Sequence, residues 1–466
     1  MRGESIVAQP IRSNQRNLLF FWNGEVFWEH ESTIQALSND GASLFAQICA
    51  HPSSNLGEAL NYVLGQIDGP YAFVLVELHH PQIWYGRDPL GRRSLLRNSS
   101  GGPFCLTSVA TLATQKAQLV LEEVPCMSFW CTDMTTHWPV NRTSASAQRL
   151  LVSDTCHTES DAKLLDEFHH LLSECVKARV TNIRRVPGQK ASDAQVAVLF
   201  SGGVDCSVLA ALAHTHIPNN QPIDLVNVAF ENPRSLAADT KRGTYDVPDR
   251  ITAKASLKEL EKFAPNRTWN FVEVDVPFLR YEQHLPTILS LLYPCTSVMD
   301  LSIAAALYFA AEATGTVQNR PYTSPARAFL SGLGADELLG GYSRHRQAFR
   351  RGGLEALRSE LQLDLDRLPT RNLGRDDRVI SSHAREARFP YLARPLLETV
   401  CKYPLMNKTD LSQGTEGVGE KRLLRMLASL LGLLHAAHLP KRAIQFGARS
   451  AKLDKVSARR KGNETL

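Results

Sequence analysis

No stretch of this 466-residue chain approaches the ~18 consecutive apolar residues that a membrane-spanning helix requires, so no membrane role is expected. Met1-Arg-Gly-Glu-Ser5 runs on into polar residues without a signal-type apolar segment, which argues against secretion. The nine cysteines contain no CxxC spacing and are odd in number, which argues against a disulfide framework or a zinc ribbon. They read as reduced thiols, mostly small core residues, and the cytoplasm is the expected compartment. Charge is not in excess either. From Lys441 onward there are eight Lys/Arg and two Asp/Glu, a net +6 that leaves the rest of the chain near neutral at −1. Residues 451–466 read as a basic, solvated C-terminal tail. With no basic face elsewhere, no nucleic-acid partner is expected. What remains, 43% apolar and 21% charged residues, is ordinary globular composition, long enough for two or more cores.

Two blocks differ in pattern. Between 18 and 110, short apolar or alternating runs such as Leu18–Trp22, Tyr71–Val76 and Gln82–Tyr85 are separated by Asn23-Gly24, Gly69-Pro70 and Asp88-Pro-Leu-Gly91. These predict a mainly β domain. Residues 111–160 are Thr/Ser-rich without a clear period and read as a connection. From Asp161, apolar runs alternate with helical stretches. Val196–Phe200, Leu225–Phe230, Trp269–Val276 and Ala328–Leu330 read as strands; Ser207–Thr215, Thr252–Phe263 and Met299–Ala313 read as helices. That alternation predicts a parallel sheet with helices on both faces. The final third is mostly helical.

The most informative segment is Leu199-Phe-Ser-Gly-Gly-Val-Asp-Cys-Ser207. An apolar strand runs into two glycines and then into a helix-forming stretch. Glycines let backbone N–H groups close on an anion, and the next helix aims its positive end at the same spot. Ser201 and Ser207 supply hydroxyls, and Asp205 supplies a hard oxygen for Mg²⁺. No lysine lies within the loop, so it is not a GxxxxGK[ST] phosphate loop. A second segment, Ser331-Gly-Leu-Gly-Ala-Asp-Glu-Leu-Leu-Gly-Gly-Tyr342, also follows an apolar strand. Taken alone, Asp336 reads as a helix cap; beside the first loop it reads as a second metal carboxylate.

The first loop resembles the SGGxDS pyrophosphate loop of ATP pyrophosphatases, and the second closely resembles the SGEGxDExxGGY element of asparagine synthetases. The likeness extends to Leu225–Glu231, Tyr245-Asp-Val-Pro-Asp-Arg250, Met299-Asp300 and Arg385-Glu-Ala-Arg-Phe-Pro-Tyr391. The resemblance implies an asparagine synthetase domain over 160–450, with an α/β parallel-sheet, adenine nucleotide α-hydrolase-like fold. ATP and Mg²⁺ would be held by Phe200, Ser201, Gly202, Gly203, Asp205, Ser207, Ser331, Gly332 and Asp336. Val228 would line the adenine pocket and Arg388 the substrate side. Residues 1–150 resemble the Ntn-type, class II glutamine amidotransferase half of the same enzymes, an α+β domain. There Asn23 and Gly24 would form an oxyanion hole and Asp40 would anchor the glutamine amino group. By spacing alone, Asn23-Gly24 is a hairpin turn.

Several positions depart from that pattern. The glutaminase nucleophile is a cysteine directly after the initiator methionine, but this chain has Arg2 and no cysteine before Cys49. Incubation with glutamine is therefore expected to release no glutamate, measured by coupled glutamate dehydrogenase assay. Leu333 stands where the family has a glutamate, and Ala443 stands in the register of its late lysine, with Lys441 or Arg442 as substitutes. The implied reaction is ATP-dependent amidation of aspartate by ammonia or glutamine nitrogen, with AMP and pyrophosphate released. The rival is a non-catalytic nucleotide-binding or scaffold descendant. A homodimer is left open.

Overall fold

In the computed structural model, residues 7–29, 39–100, 103–133, 139–144, 150–153, 160–231, 245–412, 417–451, 453 and 464–465 are described. Most of the basic tail lies outside them. The chain forms two compact units. The first comprises Met1–Arg149 with Asn182–Arg184 and Arg367–Arg378, and the second comprises the remainder.

The first unit is built on a six-stranded antiparallel sheet. Its order is Ile11–Ser13, Leu18–Gly24, Tyr71–Glu77, Gln82–Arg87, Ser128–Asp133, Pro139–Ser144. Alternation in Leu18–Gly24 buries Leu18, Phe20 and Trp22 on one face, where Phe20 stacks on Phe45 at 5.3 Å. Phe45 belongs to helix Asp40–Ala50, whose Asn39 cap accepts from the Ala42 N–H. Helix Leu56–Gly65 completes that core.

Two expectations are corrected here. Asn23-Gly24 is not a hairpin turn: both residues end a strand, paired with Ala72 and Tyr71. The partner is distant in sequence, and local turn propensity gives way to a pairing that leaves Gly24 no room for a side chain. An added Cβ would sit 2.5 Å from the Pro70 carbonyl oxygen. The 111–160 stretch is also more than a connection, because Ser128–Asp133 and Pro139–Ser144 finish the sheet. Ser128–Asp133 buries Phe129 and Cys131, but it is a short run inside a Thr/Ser-rich stretch and its partner Gln82–Arg87 lies far back in sequence, so no local period marks it.

The second unit holds a seven-stranded sheet ordered Arg320–Thr323, Thr314–Val317, Trp269–Val276, Ile223–Phe230, Val196–Leu199, Ala328–Leu330, Glu386–Arg388. Its last five strands are mutually parallel. Ile223–Phe230 is buried at every position, as a central parallel strand must be. The parallel strands expected are joined by an antiparallel edge that the sequence pattern did not show. Thr314–Val317 and Arg320–Thr323 form an antiparallel edge hairpin around Gln318 (φ 50) and Asn319 (φ 63). These strands are polar and half-exposed, so they lack the apolar run that marked the others. In the mostly helical final third, Ser343–Arg371 breaks at Gly352 and Gly353. Among the described residues, no helix is long and apolar enough to cross a membrane.

Candidate active site

Val196–Leu199 is flanked by its sequence successor Ile223–Phe230 on one side and by Ala328–Leu330 on the other. The strand order therefore reverses at this point, and the loops leaving Val196–Leu199 and Ala328–Leu330 are neighbours beyond the carboxyl ends.

In the first loop, the Phe200 N–H donates to the Val226 carbonyl at 2.8 Å, and the Phe200 carbonyl accepts from Asn227 Nδ2 at 2.8 Å. Gly202 turns the chain at φ +80, pressed against Ala253, whose backbone an added Cβ would approach at 2.5 Å. Its carbonyl accepts from Ser256 Oγ at 2.7 Å and from Ser207 Oγ at 3.3 Å. Ser207 is fully buried, so its hydroxyl braces the loop from behind. Gly203 then starts helix Val204–His216 with no side-chain cap. The Ser201 hydroxyl accepts weakly from the Gly203 N–H at 3.5 Å. The Cys206 thiol donates to the Gly203 carbonyl at 3.2 Å, and burial pushes it up to about 11. It stays neutral near pH 7 and fills space as a serine would.

The second loop comes close to the first. A Cβ on Gly332 would lie 2.9 Å from Cβ of Asp205. Leu333 donates its N–H to Ser331 Oγ at 3.3 Å. Gly334, at φ +102, opens helix Ala335–Leu339, which carries Asp336 and Glu337 in its first turn. The Tyr342 hydroxyl donates to Glu337 Oε1 at 2.6 Å. Burial and the neighbouring Asp336 charge push the Glu337 carboxyl upward.

Asp205 and Asp336 meet on one ammonium. Lys421 Nζ lies 2.7 Å and 2.9 Å from the two Asp205 oxygens and 3.0 Å from Asp336 Oδ1. Lys441 Nζ pairs with the other oxygen, Asp336 Oδ2, and lies 5.5 Å from the centre of the Tyr342 ring. Burial favours the neutral form of Asp336, but Lys421 and Lys441 outweigh it and hold the carboxyl well below the usual range.

Lys421 is 2% exposed and sits in the left-handed region, at φ +52, just before helix Arg422–Leu430. Its N–H donates to the Leu339 carbonyl at 3.1 Å. Glu420 beside it pairs with Arg346, and Arg425 Nε donates to the Glu420 carbonyl at 2.6 Å. A non-glycine residue in this conformation persists only where its surroundings over-determine it. Sequence reading missed Lys421, because Glu420-Lys421-Arg422 is a short charged run in the mostly helical final third and belongs to none of the motifs. The sole signal was a charged residue directly at a helix boundary.

Known protein families match both parts of the chain. The asparagine synthase family model matches residues 184–356 and 350–459, and the glutamine amidotransferase domain model matches residues 4–113. Asparagine synthetase domain-containing protein 1 of Gallus gallus is 36% identical, over 96% of this chain and 88% of its own length. The chain belongs to the asparagine synthetase family. Asparagine synthetase domain-containing protein YML096W of Saccharomyces cerevisiae is 32% identical over 97% of the chain and 82% of its own length. The putative asparagine synthetase [glutamine-hydrolyzing] 1 of Methanocaldococcus jannaschii is 25% identical over 62% of the chain and 51% of its own length.

The remaining family positions are placed unevenly. Val228 is buried in strand Ile223–Phe230. Arg442 is 40% exposed on its side chain, with Nη1 3.6 Å from Asp249 and 3.5 Å from Thr252 Oγ1. Arg388, expected on the substrate side, is 1% exposed, and its guanidinium donates to Glu386 at 3.0 Å and to the Arg179 carbonyl at 2.5 Å. Those contacts brace an edge strand and keep the guanidinium buried. In the amidotransferase-like unit, Asn23 is exposed, while Asp40 is buried and accepts the Val26 N–H at 2.8 Å. In the Arg-Asp-Pro-Leu-Gly-Arg segment, Arg92 binds Asp88 and Asp68, each at 2.9 Å. Cys49, the first cysteine, is half-buried in helix Asp40–Ala50.

Proposed function

We propose that the second unit is an asparagine-synthetase-type amidoligase that activates the side-chain carboxylate of aspartate with ATP. The observation that carries this reading is the convergence of Asp205 and Asp336, from neighbouring strand ends, on Lys421 beside an uncapped helix N-terminus. In the first step an aspartate carboxylate oxygen bonds to the α-phosphorus, and the bond to the pyrophosphate leaving group breaks. In the second, the ammonia nitrogen attacks the acyl carbon, AMP departs with the acyl C–O electrons, and the nitrogen loses a proton. Backbone N–H groups from Ser201 to Asp205 would hold the leaving pyrophosphate, with Lys421 and Lys441 balancing its charge.

Two carboxylates facing one point are a hard-oxygen donor set that fits Mg²⁺. The described residues include no group of three or more His, Cys, Asp or Glu able to hold a metal, so the other ligands would be phosphate oxygens and water. Mg²⁺ would supply charge neutralisation of the triphosphate. Lys421 stands where that charge would sit, so nucleotide binding requires the ammonium to turn toward phosphate.

Incubating the protein with ATP, Mg²⁺, aspartate and ammonium should yield equal amounts of pyrophosphate and asparagine. ATP binding without pyrophosphate would instead favour a non-catalytic nucleotide-binding role. Leu333 supports that second reading, since leucine can accept neither a proton nor a hydrogen bond. Leu333→Glu is expected to raise asparagine formation by about tenfold or more, within the range of general-base catalysis. Chromatographic assay at saturating ATP would show it, and an unchanged rate would remove the proton-transfer step as the defect.

A further inference from the structure

Helix Pro248–Phe263 touches both halves of the site. Ala253 and Ser256 hold Gly202 of the phosphate loop, while its first turn faces the segment from Lys441 to Gly447. That turn carries Asp249, which is 5% exposed. Arg442 Nη1 stands 3.6 Å from Asp249 Oδ1, and a Cβ at Gly447 would overlap both carboxylate oxygens. The Asp249 carbonyl accepts from Asn227 Nδ2 at 3.4 Å, the same amide that holds Phe200. The carboxyl is thus fixed from behind and covered in front by the chain that delivers Lys441. None of these contacts belongs to the phosphate or metal chemistry above.

We propose that Asp249 is a positioning residue: by packing on Gly447 and facing Arg442, it seats the turn that brings Lys441 to Asp336. The proposal rests on the functional reading above only for what Lys441 then does. Among the described residues, the charged groups facing Asp249 are Arg442 and Lys441, both on that turn. Arg250, next along the helix, is turned to Asn227, Glu273 and Asp275. Burial pushes the Asp249 carboxyl up to about 7, and the two cations only partly oppose it.

The direction of the pH effect follows from linkage. The seated turn favours protonated Asp249, whereas an undocked turn exposes a carboxyl near the ordinary ~3.9. Seating is therefore complete in acid and weakens as pH rises through about 7. Asparagine at this position would mimic the protonated form and remove the dependence.

Hydrogen exchange of residues 439–450 in the full chain, corrected for intrinsic rates, tests this without requiring catalysis. In the wild type, exchange should rise about tenfold between pH 6 and 8. Asp249→Asn should stay protected at both pH values. Gly447→Ala should expose the segment at both, while helix Val204–His216 keeps its protection. An Asp249→Asn profile matching a pH-dependent wild type, or a wild type that follows intrinsic rates alone, would overturn the proposal. In the pyrophosphate assay, Asp249→Asn should lose the alkaline fall in kcat with little change in KM for ATP. A protein inert toward ATP would defeat the functional reading and leave the exchange result to stand by itself.

Discussion

Lys421→Met is expected to abolish pyrophosphate release, by about 100-fold or more, and to lower stability by about 3–5 kcal/mol. Methionine fills similar volume, so the effect is electrostatic. Removing the ammonium leaves Asp205 and Asp336 facing one another, with only Lys441 remaining on Asp336. Two like charges held together, with Asp205 left without its cation, strongly destabilise a largely buried site. Adding Asp205→Asn should therefore return part of the stability, read by urea unfolding, and none of the activity. If Lys421→Met unfolds at the wild-type urea midpoint, the ion cluster is not what orders this site.

The same cluster sets a pH limit. Burial opposes charge on Asp336, but Lys421 and Lys441 hold its folded-state carboxyl below the ordinary range. A depressed carboxyl contributes stability that is complete above the unfolded value of ~3.9 and is lost as pH falls through the folded value. Lys421→Met should shift that acid loss to higher pH.

Gly202→Ala is the second large effect. Gly202 lies at φ +80, and its missing Cβ would stand 2.5 Å from both N and Cα of Ala253. The backbone conformation alone costs a side chain about 1–2 kcal/mol, and the clash is with helix backbone that cannot rotate aside. The loop must move, carrying its N–H groups off the position proposed for the pyrophosphate. MgATP affinity, read by calorimetry, should fall by about 100-fold or more. Gly203→Ala is the steric control: its Cβ would meet only Ser201 Oγ at 3.6 Å, and its φ of −68 suits any residue. It should keep wild-type stability. Equal melting temperatures for the two variants would show that Gly202 is not required by geometry.

Much of this fold is legible in the sequence. The strands Trp269–Val276 and Ala328–Leu330 fall where the apolar residues placed them, the first alternating buried apolar with half-buried polar positions and the second apolar throughout. The Ser-Gly-Gly bend was visible because a φ of +80 is nearly reserved for glycine. Polar elements were not legible. The hairpin at Thr314–Thr323 lacks a buried face to mark it. Asn23-Gly24 misled because its true partner, Tyr71–Ala72, lies beyond two helices. Arg388 sits inside a family motif, yet its guanidinium is taken up by Glu386 and Arg179.

From the chain alone came the two domain types, the Ser-Gly-Gly bend and the leucine at 333, because composition, glycine and residue identity are local properties. Folding alone decided that Lys421 joins Asp205 to Asp336, and that Lys441 reaches Asp336 although Ala443 holds the expected register. A charge acquires its partner through strand order and backbone conformation, and neither is written in the spacing of residues along the chain.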